Sequence, residues 1–349
     1  MGRKILILTE GLSSPNSAKT ACSVIRYRSE EVVGVLDSTV SPQPCQNLLD
    51  VGEDIPVVNT VDAIAEANVL LIGIAPTGGG LPESMRQQVK AAIERGMDVE
   101  SGLHDFLCED IEFVELAKKS GSKLRDLRRN NEREVAQRVN ISSDCLRVHT
   151  VGHDCSVGKM VTSIEIVRGL QAEGVSAKFI ATGQTGILVE GEGCPVDAVV
   201  GDFISGAVEK QILAHQHHQV LVVEGQGSIT HPCYSAVTLG LLHGCLPDVL
   251  VFCYELGRTQ VKGVDHIELP SMEFQKDLYL AMANAAHSCR FIGVSINSRN
   301  TDEKTYRKEK ERIESEWGLP ACDVFRDNAQ PLVDVVKSSM VTKNEATFT

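Results

Sequence analysis

The sequence predicts an α/β protein with two domains, each built around a mostly parallel sheet. Its 349 residues exceed the size of one ordinary hydrophobic core, which favours two domains. Short apolar runs of strand length alternate with helical patterns along the chain, as they do in proteins of this class. A charged stretch at residues 118–138 interrupts the alternation once, so we expect domains at residues 1–140 and 141–340.

The first half predicts a Rossmann-like domain. Three apolar runs are typical of parallel strands covered on both faces, and helical patterns separate them. The clearest helix opens at Pro82 and closes at Gly96. The three runs are KILIL at 4–8, VVGVL at 32–36 and VLLIGI at 69–74. We interpret the charged stretch that follows as a solvated connecting helix, with an anion-binding or hinge segment as the alternative.

The second half repeats the alternation, which predicts a second, mostly parallel sheet. It runs to a last short element at residues 332–336, and the residues after Met340 are expected to fray. The expected strands lie at 146–151, 177–181, 219–223, 249–253 and 291–296, and the expected helices at 158–173, 202–215, 271–286 and 301–316.

The formal net charge of −13 disfavours nucleic acid and anionic membranes as partners, because the surface repels both. Any phosphate that the protein binds must therefore meet a local positive site. The first residues contain no signal-peptide core, and no apolar run approaches the roughly 20 residues of a membrane span. We therefore expect a cytoplasmic protein.

The cysteines and histidines predict no metal site. The eleven cysteines include no C-x-x-C pair, so we expect reduced thiols rather than a disulfide framework or a zinc ribbon. The histidine cluster at residues 215–218 lies between a predicted helix and a predicted strand, where solvation and the helix dipole account for it.

A strand, a glycine-containing turn and a helix follow one another in LRVHTVGHDCSVGKMVTSIEIVRGL at residues 146–170. The first glycine lets the chain turn off the strand, the second lets the backbone approach a phosphate, and the lysine supplies charge at the helix N-terminus. This order predicts a P-loop NTPase-like domain in the second half. The predicted cofactor-binding residues are Gly152, His153, Asp154, Cys155, Ser156, Val157, Gly158, Lys159 and Met160.

Two features of this loop depart from the usual Walker A pattern. Five residues separate the glycines where the standard loop has four, and Met160 stands where a serine or threonine would bind Mg²⁺. A thioether is a poor ligand for Mg²⁺. We therefore expect the loop to bind phosphate, while ordinary hydrolysis of Mg-ATP is not favoured.

The loop GHDCSVGK resembles the G-T-D-T-x-V-G-K loop of dethiobiotin synthetase and its relatives. A second segment, VLVVEGQGS at 220–228, resembles the strand-borne V-E-G-x-G segment of the same enzymes. The resemblance implies that Glu224 lies opposite the loop as a metal or substrate ligand. An edge carboxylate at a strand end is the alternative.

Four blocks resemble the D-glutamate N-acetyltransferase family, and the similarity extends from about residue 4 to residue 335. It implies a Rossmann-like and a P-loop domain, with acetyl-CoA and a small acidic amino acid as ligands. Acetyl-CoA carries phosphates but needs no phosphoryl transfer, which suits the methionine in the loop. As in related P-loop enzymes, a homo-oligomer is expected. The blocks are ESGLHDFL (100–107), GHDCSVGKM (152–160), ATGQTGILVEGEGCPVDAVVGDFISGAVE (181–209) and VEGQGSITHPCYSAVTLGLLHG (223–244).

Acyl transfer to an amine needs a base, because only the neutral amine is nucleophilic. His104 and Asp105 follow a predicted strand at residues 97–103, at the edge where α/β proteins place ligands. Asp110 and His231 are further candidates, and Asn297 is a candidate contact for the nucleotide base of the cofactor. Two alternatives remain open: an enzyme that uses ATP with Mg²⁺, as dethiobiotin synthetase does, and a non-enzymatic nucleotide-binding regulator.

Overall fold

The computed structural model describes residues 2–76 and 78–347, and only the backbone of residues 342 and 344–347. The chain forms two compact units. The first contains Met1–Arg129 and Ile187–Gly191, and the second contains Asn130–Gly186 and Glu192–Thr349. The predicted α/β class with mostly parallel sheets is confirmed.

The first unit is built on a seven-stranded sheet in the order β3-β4-β2-β1-β5-β6-β7, in which only the β3–β4 pair is antiparallel. The order reverses between β1 and β5, as in Rossmann-type sheets. The elements are β1 (Ile5–Leu8), α1 (Lys19–Tyr27), β2 (Val32–Leu36), β3 (Gln43–Pro44), α2 (Gln46–Leu49), β4 (Pro56–Val58), β5 (Val69–Ile72), α3 (Glu83–Glu94), β6 (Asp98–Ser101), α4 (Ile111–Ser120) and β7 (Leu124–Asp126).

The apolar periodicity of the helix expected from Pro82 corresponds to the buried face of α3. This helix buries Met85, Val89, Ala92 and Ile93, which recur on one helical face and belong to the same core as the sheet. The predicted strands of this half are confirmed with small changes at their ends.

The charged stretch at 118–138 is not the connecting helix that we expected. Gly121, in the left-handed conformation, ends α4, and residues 124–126 then pair with β6 as the edge strand β7. Farther on, the amides of Gln137 and Arg138 donate to the Glu209 carboxylate. The second compact unit accordingly begins at Asn130.

The second unit contains a six-stranded parallel sheet in the order β13-β12-β11-β8-β10-β9. Because β8 lies between β10 and β11, the loop that follows β8 lies at the carboxyl edge between the ends of these two strands. The elements from β8 onward are β8 (Leu146–Gly152), α5 (Lys159–Ala172), β9 (Ala177–Ile180), α6 (Gln184–Glu190), α7 (Ile204–His215), β10 (Val220–Val223), α8 (Ser235–Cys245), β11 (Val249–Glu255), α9 (Met272–Asn284), β12 (Arg290–Asn297), α10 (Glu303–Trp317), β13 (Ala321–Cys322) and α11 (Gln330–Thr347). All belong to the second unit except the part of α6 from Ile187 onward, which belongs to the first.

The end of the chain differs from the prediction. The expected short element at 332–336 is part of α11, which continues beyond Met340, where fraying was expected, to Thr347. Among the described residues, no helix combines the length and the apolar character that crossing a membrane requires.

Candidate functional site

The predicted phosphate loop forms at the end of β8. Ser156 has φ +56° and Gly158 has φ +107°, so two left-handed residues turn the backbone sharply before α5 begins at Lys159. Alternation of this kind points successive amides toward one side, and the first amides of a helix have no preceding turn to donate to. A Cβ at Gly158 would meet nothing within 4 Å, so a ligand can approach the backbone there.

The base of the loop is fixed by close packing. A Cβ at Gly152 would lie 2.7 Å from the Cys253 carbonyl oxygen and 2.9 Å from Val157, which is itself buried. Beneath the loop, the fully buried Tyr279 of α9 donates its hydroxyl to the Gly152 carbonyl at 3.0 Å. The same hydroxyl accepts the amide of Ile229 at 3.0 Å, and burial raises the pKa of this phenol to about 12.

Lys159 joins the loop to the segment after β10. Its side chain is buried, and Nζ donates to the carbonyl oxygens of Asp154 and Gly227, each at 2.7 Å. Burial lowers the pKa of this ammonium from its ordinary value. Its stem packs against Gly225, where a Cβ would lie 2.8 Å from Lys159 Cδ and would overlap the Thr150 carbonyl oxygen.

Asp154 is fully buried and each of its carboxylate oxygens accepts at least one hydrogen bond. Oδ2 accepts from Arg258 at 2.8 Å and from the Lys262 amide at 2.9 Å, while Oδ1 accepts from the Cys155 amide at 2.7 Å. Burial acts to raise the pKa of this carboxyl, but the bonds from Lys262 and Arg258 outweigh it and hold the pKa below its ordinary value. Asp154 therefore anchors the phosphate loop to the loop after β11.

Asp154, Cys155 and His231 bring three potential metal-ligand atoms within 4.8 Å of one another. The chemistry of these donors does not favour a cation. Arg258 already neutralises the aspartate, and burial raises the pKa of the Cys155 thiol. A metal there would have to displace the guanidinium and deprotonate a thiol.

His231 lies beside the phosphate loop but has a partner for each ring nitrogen. Nδ1 accepts the Cys233 amide at 3.1 Å, and Nε2 lies 3.2 Å from the Lys262 carbonyl oxygen, to which it donates. The ring stacks on the half-exposed Tyr234 with centroids 4.5 Å apart. These contacts hold two loops together.

The carboxyl edge of the second sheet also carries three other predicted residues, His153, Asn297 and Met160. His153 is buried, its Nε2 accepts the Glu255 amide at 3.3 Å, and burial lowers its pKa to about 3, so the ring is neutral. Asn297 is the last residue of β12, paired with Glu255, and its Oδ1 accepts the Arg299 amide. Met160 is partly buried in the first turn of α5.

Glu224 follows β10 directly and is 3% exposed. Its Oε2 accepts the amides of Thr182 at 2.8 Å and Gly183 at 3.1 Å, which come from the end of β9. Burial raises the pKa of this carboxyl to about 7, although the bonds from Thr182, Gly183 and Gln226 act to lower it. The sequence contained no signal for these partners, because they meet Glu224 only through the pairing of β9 with β10.

We expect Glu224→Gln to stabilise the protein at pH 8 much more than at pH 5. The folded wild type keeps a proton on Glu224 between the ordinary pKa of 4.5 and about 7, whereas the unfolded chain releases it. Stability from this proton is complete below pH 4.5 and is lost as the pH rises through about 7. Chemical denaturation from pH 5 to pH 8 should show the stability difference growing by roughly 2–3 kcal/mol.

The exposed Glu311 of α10 offers the matched control, because Glu311→Gln should give the same small difference at every pH. A Glu224→Gln difference that does not change with pH would contradict the prediction.

His104, Asp105 and Asp110 lie in the first unit. His104 and Asp105 are exposed after β6 and lie against the turn that contains Gly79. The His104 amide donates to the Gly79 carbonyl, and a Cβ at Gly79 would overlap the His104 ring. Asp105 accepts the Leu81 amide. Asp110 caps α4 and pairs with Arg86 at 2.7 Å.

Family models match both halves of the chain. One, described as a domain of unknown function with a Rossmann-like domain (DUF1611_N), matches residues 40–130, and another, described as a P-loop domain (DUF1611_C), matches residues 134–333. The predicted Rossmann-like and P-loop domains are thereby confirmed.

The chain is also similar to individual proteins. A Tritonibacter scottomollicae protein named D-glutamate N-acetyltransferase is 37% identical over 274 residues, which cover 78% of this chain and 82% of that protein. A Pseudoalteromonas protein of the same name is 37% identical over 268 residues, or 76% and 80%. A crystal structure of a DUF1611 family protein from Anabaena variabilis superimposes with a TM-score of 0.91 at 32% identity, covering 97% of this chain and all of that one. The resemblance to the family named from the sequence is confirmed, and the chain belongs to the DUF1611 family.

Proposed function

We propose that the protein is an N-acetyltransferase that transfers the acetyl group of acetyl-CoA to the amino group of a small acidic amino acid, with D-glutamate as the first candidate. Two relatives at 37% identity are named D-glutamate N-acetyltransferase. Independent support comes from the phosphate loop, whose residues suit a phosphate-bearing cofactor that undergoes no phosphoryl transfer.

The observation that carries the proposal is that two candidate Mg²⁺ ligands of the loop, Met160 and Asp154, are unsuited to the ion. Met160 offers a thioether in place of a hydroxyl, and the Asp154 carboxylate is occupied by Arg258 and the Lys262 amide. Phosphate binding needs only amides and positive charge, which α5 and Lys159 supply. Lys262, with its exposed side chain beside the loop, is a further cation for the phosphates.

Bound acetyl-CoA would supply an activated thioester. The protein must then hold the amine close, remove its proton and stabilise the developing oxyanion. Among the predicted bases, His231 holds two loops together and Asp110 caps α4. His104 and Asp105 are exposed, and Asp105 accepts the Leu81 amide. The catalytic roles of these four residues stay predictions. So do the use of acetyl-CoA, the cytoplasmic location and the homo-oligomer.

Isothermal titration of the purified protein tests the proposal directly. Acetyl-CoA should bind with equal affinity in EDTA and in Mg²⁺. In a separate assay of free CoA thiol, the release of thiol should be much faster with D-glutamate than with glutarate, which lacks the amine. Binding of ATP that requires Mg²⁺, without binding of CoA, would overturn the proposal in favour of an ATP-dependent enzyme. A change of oligomeric state on nucleotide binding, with no turnover, would favour a regulator.

A further inference from the structure

Two buried hydrogen-bond acceptors follow the carboxyl ends of β9 and β10, and they are linked through Gly183, whose amide donates to Glu224 and which precedes Gln184. Glu224 is 3% exposed and Gln184, the first residue of α6, is 5% exposed. Among the described residues, the side-chain oxygen of Gln184 has no hydrogen-bond partner. An unpaired buried acceptor destabilises the protein, so a ligand that donates N–H groups is its natural complement.

Glu224 has a negatively charged neighbour. Asp197 is close enough to Glu224 for its charge to act on that carboxyl and favour the protonated form. The donors that Glu224 does have are neutral, namely two backbone amides and the Gln226 side chain. A protonated amine, which brings a positive charge and three N–H donors, suits the Glu224 carboxylate and the unpaired oxygen of Gln184.

Glu224 is connected to the phosphate loop through two of the residues that follow it. Gly225, next to Glu224, packs against the stem of Lys159, and Gly227 accepts the Lys159 ammonium. An amine held at Glu224 would therefore be next to the segment that contacts Lys159 of the phosphate loop. Both groups belong to the second compact unit.

We propose that Glu224 and Gln184 bind the ammonium group of the substrate and that Glu224 takes its proton before acyl transfer. The identity of the acyl donor rests on the proposed function above, whereas the recognition of an amine does not. This assigns to Glu224 a proton transfer that the predicted bases His104, Asp105, Asp110 and His231 would otherwise perform.

The proton and bond changes balance as follows. One ammonium proton moves to the Glu224 carboxylate, and the neutral nitrogen attacks the thioester carbonyl carbon. The C–N bond forms, the C–S bond breaks, and the second proton of the nitrogen passes to the departing thiolate. Glu224 then returns its proton to solvent. A carboxyl whose pKa lies at about 7 can both accept and release this proton at neutral pH.

Binding measurements with the full-length protein test the recognition step without acetyl transfer. D-glutamate and glutarate, which lacks the amine, are titrated at pH 6 and pH 8, with and without saturating CoA, into wild type and Glu224→Gln. We expect the variant to bind D-glutamate at least about tenfold more weakly at pH 8, as loss of one charge-assisted hydrogen bond predicts, and to bind glutarate as wild type does. Equal affinity of both proteins for D-glutamate, or failure of wild type to bind any amino acid, would overturn the inference.

Gln184→Met provides a second variant that keeps the side-chain shape. It removes the unpaired oxygen, so the melting temperature should stay the same or rise while D-glutamate binds more weakly. A purely structural Gln184 would change stability without changing the difference between D-glutamate and glutarate, which would refute its role.

The pH profile distinguishes a base from a structural cap, because glutamine can also accept the amides of Thr182 and Gly183. At pH 7 we expect Glu224→Gln to lower kcat/KM for the amine about 10²–10⁴-fold, with recovery as rising pH deprotonates the amine itself. A variant with the wild-type profile would show that Glu224 only holds the two strand ends. If D-glutamate binding depends on Glu224 while acetyl-CoA does not bind, the recognition of the amine by Glu224 stands and the proposed function fails. If acetyl-CoA binds while D-glutamate binding does not depend on Glu224, the proposed function survives and this inference fails.

Discussion

Lys159→Met will weaken binding of acetyl-CoA about 10- to 100-fold while leaving the protein folded, as loss of one charge-assisted bond to phosphate predicts. Its buried ammonium is satisfied in this structure by two carbonyl oxygens. Methionine fills the same space, so the variant loses two hydrogen bonds but no longer buries a charge. These two changes oppose each other, and we expect the melting temperature to move by less than about 5 °C.

Titration calorimetry with acetyl-CoA, alongside a thermal melt, measures both effects. Lys308→Met, on an exposed position of α10, is the matched control and should change neither quantity. Unchanged affinity of Lys159→Met for acetyl-CoA would show that the loop does not bind the cofactor phosphates.

Gly225→Ala will destabilise the protein by about 3 kcal/mol, toward the upper end of the usual effect of overpacking. The added Cβ would overlap the carbonyl oxygen of Thr150, a backbone atom in the central strand β8, and would press on the stem of Lys159. Backbone cannot rotate away as a flexible side chain can, so β8 and the segment after β10 must separate. Affinity for acetyl-CoA should fall as well, because Lys159 is displaced.

Gly201→Ala controls for the substitution itself, since a Cβ at Gly201 would meet nothing within 4 Å. Urea denaturation of both variants gives the comparison. If Gly225→Ala proved as stable as Gly201→Ala, the close approach of β8 and the segment after β10 would be wrong.

The fold was predictable because its signals are local. Uninterrupted apolar runs such as residues 4–8 mark strands covered on both faces, and the phosphate loop lies within one strand–turn–helix unit. The helix expected at 118–138 failed because strand pairing decided the outcome: residues 124–126 join β6, which no local pattern reveals. Helix α8 escaped prediction within the similarity block at 223–244.

The site was predictable only in part for the same reason. Gly152 to Met160 could be identified from their order, but the partners of Asp154 lie 104 and 108 residues away along the chain, at Arg258 and Lys262. Likewise, the amides that bind Glu224 belong to a different strand end. The position of the loop was therefore predictable from the sequence, whereas the contacts that set the pKa values of Asp154 and Glu224 were not.

The shared hydroxyl of Tyr279 couples two segments that are far apart in sequence. It is hydrogen-bonded at once to Gly152, at the start of the phosphate loop, and to Ile229, which follows the Glu224 segment. Neither segment can shift by itself without leaving a polar atom unsatisfied in a dry interior. Their geometry is thus set before any ligand arrives, and little ordering entropy remains to oppose association.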